Sequence, residues 1–257
     1  HPVAWESRMG NGESDKQILA KMRFFALAIP DSRFSVPGFN TVAPVRLSSE
    51  HSAMSTVVPF KAKGVRIALR EAFDAHIPMR FARERIQPGW IHGFVVGLSR
   101  DFCLIAEVGD TMRFDGYVVI AIADLSQIEE DPSREFVEKA LALRNEALTI
   151  PRDFPLDNWA TIADAAMRMA PLLSINVVED EEGEVSYIGQ LVGLENDALL
   201  LREIDPNAHW HADVGDYGFE EIASIGFGTG YLDALWHVAG SPSDPMSPRL
   251  PRSDSVH

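Results

Sequence analysis

His209-Trp210-His211-Ala212-Asp213 is the first place where residue types and spacing could do chemistry. Side chains two apart on a strand share a face, so His209, His211 and Asp213 would present two imidazoles and a carboxylate together. Zinc or iron accepts such a trio, and a metal-dependent enzyme could be built on it. A metal centre normally gathers three or four convergent ligands, and no further ligand cluster stands out nearby. An exposed hairpin segment is the plainer reading.

Other candidates have structural readings beside their chemical ones. Gly226-Phe227-Gly228-Thr229-Gly230 follows a strand-like segment and precedes a helix-like one, as a dinucleotide loop does. It lacks the last glycine of that fingerprint, and Thr229 fits as the N-cap of the helix. Glu179-Asp180-Glu181-Glu182-Gly183-Glu184 could attract calcium, but without EF-hand spacing it reads as a solvated hairpin tip. Glu107 and Glu203 occupy matching places in an internal repeat, yet nothing in the sequence brings them together for acid–base work. Cys103 aligns with Leu199 and reads as a small core residue. No nucleophile elbow, P-loop or Cys-x-x-Cys is present. We therefore expect no catalytic residues and no cofactor.

Charge narrows the partners. The 257 residues carry a formal net charge of −15. Residues 1–53 sum to +1 and residues 241–257 to 0, which leaves −16 on the middle. Phosphate backbones and anionic lipid are repelled by such a surface unless a basic face is segregated. Arg80, Arg83 and Arg85 beside Lys61, Lys63 and Arg66 come nearest to one. Nucleic acid and membrane are thus poor partners; a basic protein, or self-assembly, suits the acidity better. One cysteine excludes an intrachain disulfide and suits a reducing, cytoplasmic setting. No apolar run approaches the ~20 residues of a membrane-spanning helix. The run Phe24–Ile29 is too short and too far into the chain for a signal peptide.

The elements that must position these residues come from a repeat. Gly93–Val108 aligns with Gly189–Ile204 at a constant offset of 96, with seven of sixteen positions identical. The flanks agree. Helix-like stretches at 64–75, with Val65, Ile67, Ala68, Leu69 and Phe73 as the stripe, and at 158–169, with Asp157 as N-cap, precede the blocks. Strand-like segments follow at 77–85 and 172–178, with turns near Gln87-Pro88-Gly89 and Glu181-Glu182-Gly183. Each block then reads as two strands about a turn, at 99–101 or 195–197. Asp124–Ile128 parallels Glu221–Ile225, and short helices near 135–143 and 231–238 close the units. Gly93, Gly97, Gly189 and Gly193 stand at matching places, which fits sharp strand bending.

Helix, five bent strands, helix is an order that resembles the Sm-like fold. The likeness lies in Gly93-x-Val95 … Asp101-x-x-Leu104-Ile105 and Gly189-x-Leu191 … Asp197-x-x-Leu200-Leu201. The resemblance implies a mainly β chain with helices (α+β), built as two tandem Sm-like five-stranded barrels, each preceded and followed by a short helix. It also implies RNA binding as an alternative function. The family's RNA-contacting Asn is replaced here by Ile105 and Leu201, and its later Arg-Gly signature is missing near Ile122-Ala123-Asp124 and Glu220-Glu221-Ile222. We expect an N-terminal extension or flexible arm over 1–53, units over 54–150 and 151–240, and a disordered tail over 241–257. The expected function is non-enzymatic, acting through protein–protein contact or assembly.

Overall fold

The computed structural model describes residues 62–179 and 183–242. The expected arm over 1–53, most of the expected tail, and the centre of the acidic turn lie outside the described residues. The described residues are mainly β with four α-helices, an α+β arrangement. In order come α1 (Ala62–Ala75), β1 (Met79–Arg83), β2 (Gln87–Leu98), β3 (Phe102–Val108), β4 (Phe114–Ala121) and β5 (Gln127–Glu130). The helices α2 (Arg134–Leu143) and α3 (Trp159–Met169) follow. Then come β6 (Leu173–Glu179), β7 (Gly183–Leu194), β8 (Ala198–Ile204), β9 (Trp210–Gly218), β10 (Ile222–Phe227) and α4 (Gly230–Ala239).

The ten strands of the described residues form one open sheet in the order β5-β1-β2-β3-β4-β10-β6-β7-β8-β9, with antiparallel neighbours throughout. Each half contributes its fifth strand, then its first to fourth. The sequence reading placed five strands in each of two barrels. In the fold, β4 pairs with β10, and the two sets of five run on as a single sheet.

The glycine pattern acts at matching bends. The β2–β3 register slips between Val95 and Gly97, and the β7–β8 register slips between Leu191 and Gly193. Such a bulge inserts one extra residue and sharpens the local bend. Gly93 and Gly189 have a stricter role: a Cβ there would lie 2.3 Å from the Ala106 carbonyl oxygen or 2.2 Å from that of Arg202.

Two helices cover the halves in equivalent ways. Val65, Leu69 and Ala72 of α1 are buried against Phe81, Val95, Cys103, Ile105 and Ile120. Trp159, Ile162, Ala163 and Ala166 of α3 are buried in a larger core with Leu173, Ile175, Leu199, Leu201 and Ile225. That core also takes Phe94, Val96 and Leu104 from the first half. Two details differ from the sequence reading. Ile67 is 52% exposed, because it stands two residues from Val65, on the other side of a 3.6-residue turn. Asn158, not Asp157, caps α3: its side chain accepts from the Thr161 N–H at 3.0 Å, and Thr161 closes a reciprocal capping box. No helix among the described residues is long and apolar enough to cross a membrane.

Candidate functional site

The seam between β4 and β10 carries a polar cluster that no single segment of the sequence announces. Cross-strand pairing sets Ile120, Ser224, Asn176 and Ser186 in one row over β4, β10, β6 and β7. The next row is Val118, Gly226, Ser174 and Ile188. Alternation along each strand puts both rows on one face. Ser224 is fully buried and Asn176 is 3% exposed.

A chain of hydrogen bonds runs through them. Asn176 Nδ2 donates to Ser224 Oγ at 2.8 Å, and Ser224 donates to Glu184 Oε1 at 3.2 Å. Arg83 Nη2 donates to the same carboxylate oxygen at 2.7 Å, and Arg83 Nη1 donates to the Ala223 carbonyl at 3.2 Å. Arg83 closes β1 in the first half and Glu184 opens β7 in the second, so a buried ion pair bridges the halves. Arg83 Nε and Asn176 Oδ1 have no hydrogen-bond partner among the described residues. Burial holds the nearby Asp124 carboxyl above its ordinary value, with the Arg83 guanidinium pulling the other way.

Over this floor lies a cleft of about 590 Å³. Its lining includes Ile91 of β2, Tyr231 and Leu232 of α4, and the turn after Glu107. Arg80 stacks over the Trp90 ring with its guanidinium carbon 4.3 Å from the centroid. His92 Nδ1 lies 2.7 Å from Oδ2 of the buried Asp131.

The residues singled out from sequence fall elsewhere. His209 precedes β9 with its Nδ1 3.3 Å from Asp205 Oδ2, while His211 Nδ1 lies 3.7 Å from Glu203 Oε2. Asp213 is exposed on the same strand. Among the described residues, no three His, Cys, Asp or Glu side chains gather as metal ligands. Glu203 accepts a 2.7 Å hydrogen bond from the Tyr217 hydroxyl, whose pKa is raised by burial and by that carboxylate. Glu107 lines the cleft instead. The last glycine-rich segment is a helix cap: Thr229 Oγ1 accepts from Leu232 N–H at 3.2 Å, and Gly230 N–H donates to Asp115 Oδ1 at 2.8 Å. Cys103 is fully buried, and its thiol is pushed up to about 12 by desolvation, which the Arg83 charge partly offsets.

Among the described residues, Arg80, Arg83 and Arg66 of the basic cluster are each engaged separately. Arg80 pairs with Glu129, Arg83 is buried against Glu184, and Arg66 donates to the Arg100 carbonyl; the side chains of Lys61 and Lys63 lie outside the described residues. Ile105 and Leu201, at the positions of the family's RNA contact, are fully buried. Sequence reasoning missed Arg83, Asn176, Ser224 and Glu184 as a group. The usable signal was Asn176, a lone amide inside the apolar run Leu172–Val178.

No protein-family model and no curated protein matches the chain. Among solved structures it is similar to YcgR in complex with c-di-GMP from Escherichia coli, with a TM-score of 0.17 and 12% identity over 70% of this chain and 89% of that one. A similarity that slight carries over neither fold nor ligand.

Proposed function

We propose that the chain is a non-enzymatic assembly module of two Sm-like units, which joins further copies of itself through the two ends of its sheet. One observation supports this reading above the others. Inside the chain, the fourth strand of the first half, β4, pairs with the fifth strand of the second, β10. The sheet ends on the counterparts of those strands, β9 and β5. An edge strand presents unpaired N–H and C=O groups that can template another strand. A head-to-tail contact between copies would therefore repeat a pairing that the chain already makes.

The inner junction also supplies a register. It pairs Ser224, Ile225, Gly226 and Phe227 with Ile120, Val119, Val118 and Tyr117. Carried to the ends through the strands that flank them, this sets Gln127 to Glu130 opposite Tyr217 to Val214 of the next copy. Such a contact is heterologous, so it closes into a ring or continues as a filament. Directly opposed residues in an antiparallel pair stand about 4.5–5.5 Å apart at Cα, within disulfide reach.

The test mixes two single-cysteine variants of the full chain, Glu130→Cys and Val214→Cys, under mild oxidation. The native Cys103 is buried and stays silent. The expected result is a disulfide-linked dimer from the mixture and none from either variant alone, with multiples of the 28.4 kDa chain in native mass spectrometry of the wild type. A wild-type protein that stays monomeric up to about 100 μM, a regime where micromolar contacts assemble, would sink the proposal.

A further inference from the structure

We propose that the cleft over the β4–β10 seam binds a small neutral polyol, a sugar of one or two rings. The site does not depend on assembly through the sheet ends. Its floor gathers polar side chains on one face of the sheet: Ser224 and Asn176, both buried, and Ser174 and Ser186, partly buried, stand side by side across three strands. Most buried polar groups in folded proteins find partners. At this floor Arg83 Nε and Asn176 Oδ1 have none among the described residues, although each side chain is 3% exposed. One is a donor and the other an acceptor, so a ligand that both accepts and donates suits the pair. A hydroxyl does both, and a polyol supplies several to meet the serine hydroxyls as well.

Charge selects against ions of either sign. The Arg83 charge is already met by Glu184, and Glu107, Asp110 and Asp115 stand along the wall, so an anion enters against carboxylates. A cation satisfies Asn176 Oδ1 but leaves Arg83 Nε without an acceptor. The apolar lining on that face includes Phe81, Ile91, Val118 and Ile188, with Tyr231 and Leu232 from α4. Apolar side chains beside serine hydroxyls, an amide and a guanidinium suit the C–H faces and hydroxyl rims of a pyranose. The volume of about 590 Å³ falls within the usual range for small-molecule sites.

The experiment is isothermal titration calorimetry on the full chain with D-glucose, D-galactose, D-mannose and maltose, each to about 50 mM, with inorganic phosphate as the anionic probe. We expect saturable binding of at least one sugar with a Kd of about 1 mM or below, and no response to phosphate. Asn176→Leu, which keeps the volume but removes the acceptor, should weaken binding at least about tenfold. Tyr231→Ala, on the exposed side of the cleft and outside the buried network, should do the same, which preserves the test should the first variant fold poorly. Absence of saturable binding for all four sugars, a response to phosphate in their place, or unchanged sugar affinity in both variants would overturn the assignment.

Discussion

The fifth strands of the two halves hold the same place in their units and have opposite surroundings. β10 lies between β4 and β6 with all six residues buried, whereas β5 has β1 on one side only and buries Ile128 alone of its four. Aligned through their partners on β1 and β6, Gln127, Ile128, Glu129 and Glu130 stand where β10 has Ser224, Ile225, Gly226 and Phe227. The isoleucine is shared because in each half it faces the core under the preceding helix. The residues around it diverge. On the outer strand Glu129 and Glu130 pair with Arg80 and Arg134 in partly solvated ion pairs. On the inner strand Phe227 stacks between Tyr117 and Phe154, at centroid distances of 5.3 and 5.5 Å. Charge on an edge strand discourages indiscriminate pairing, while a strand buried in the sheet cannot carry it. Neighbours, more than position in the repeat, set the composition of each strand.

That contrast predicts where the molecule is brittle. Phe227 is fully buried at the seam, and Phe227→Ala should cost about 3–5 kcal/mol, the usual range for a core phenylalanine. Chemical denaturation read by circular dichroism measures it. A loss below about 1 kcal/mol would mean that the seam is not part of the cooperative core. Arg83→Ala should cost a similar amount, about 3–5 kcal/mol, because it removes the cation that pairs with the buried Glu184 carboxylate. The double variant Arg83→Met with Glu184→Leu should recover most of that loss, since a buried ion pair is often no more stable than apolar residues of similar volume. Equal damage from the single and double variants would assign Arg83 a role other than charge pairing.

Much of this is legible in the sequence, and what is not has a common cause. The offset of 96 aligned Gly97 with Gly193, and both sit at register slips; the helix over 158–169 and the Thr229 cap are local patterns that a short window contains. The cluster at the seam is not local. Arg83 and Glu184 are 101 residues apart, and the Asn176–Ser224 bond spans 48. Arg83, Glu184 and Ser224 each read alone as an ordinary charged or polar position, and only the Asn176 amide stands out from its apolar run. Ion pairing removed the sequence's basic cluster in the same way, since Glu129 and Glu184 come from segments far from Arg80 and Arg83. The open sheet likewise depends on an edge contact between halves, which no periodicity encodes.

An intermediate effect is expected at the matched glycines. Gly93→Ala and Gly189→Ala each place a methyl group against a backbone carbonyl that cannot swing aside. Overpacking of this kind costs roughly 1–3 kcal/mol. The Gly97 and Gly193 positions meet only Leu104, Leu156 or Leu200 side-chain atoms at 3.1–3.2 Å, so alanine there should cost less. Thermal melts of the four variants test whether the halves are equivalent in energy as well as in backbone. A large difference between Gly93→Ala and Gly189→Ala would show that one half tolerates strand separation that the other does not.

The smallest effect belongs to the outer counterpart of Phe227. Glu130 is half exposed and its partner Arg134, four residues on, also holds Glu138. Removing one of two carboxylates from a solvated arginine leaves the other in place, so Glu130→Ala should change folding stability by no more than about 0.5 kcal/mol. The variant has a second readout that Phe227→Ala lacks. The outer edge loses a charge there, so any head-to-tail contact should strengthen while stability holds, and light scattering against concentration would register it. A stability loss near that of Phe227→Ala would mean that β5 is packed as tightly as β10, and the distinction between covered and uncovered strands would fail at its plainest point.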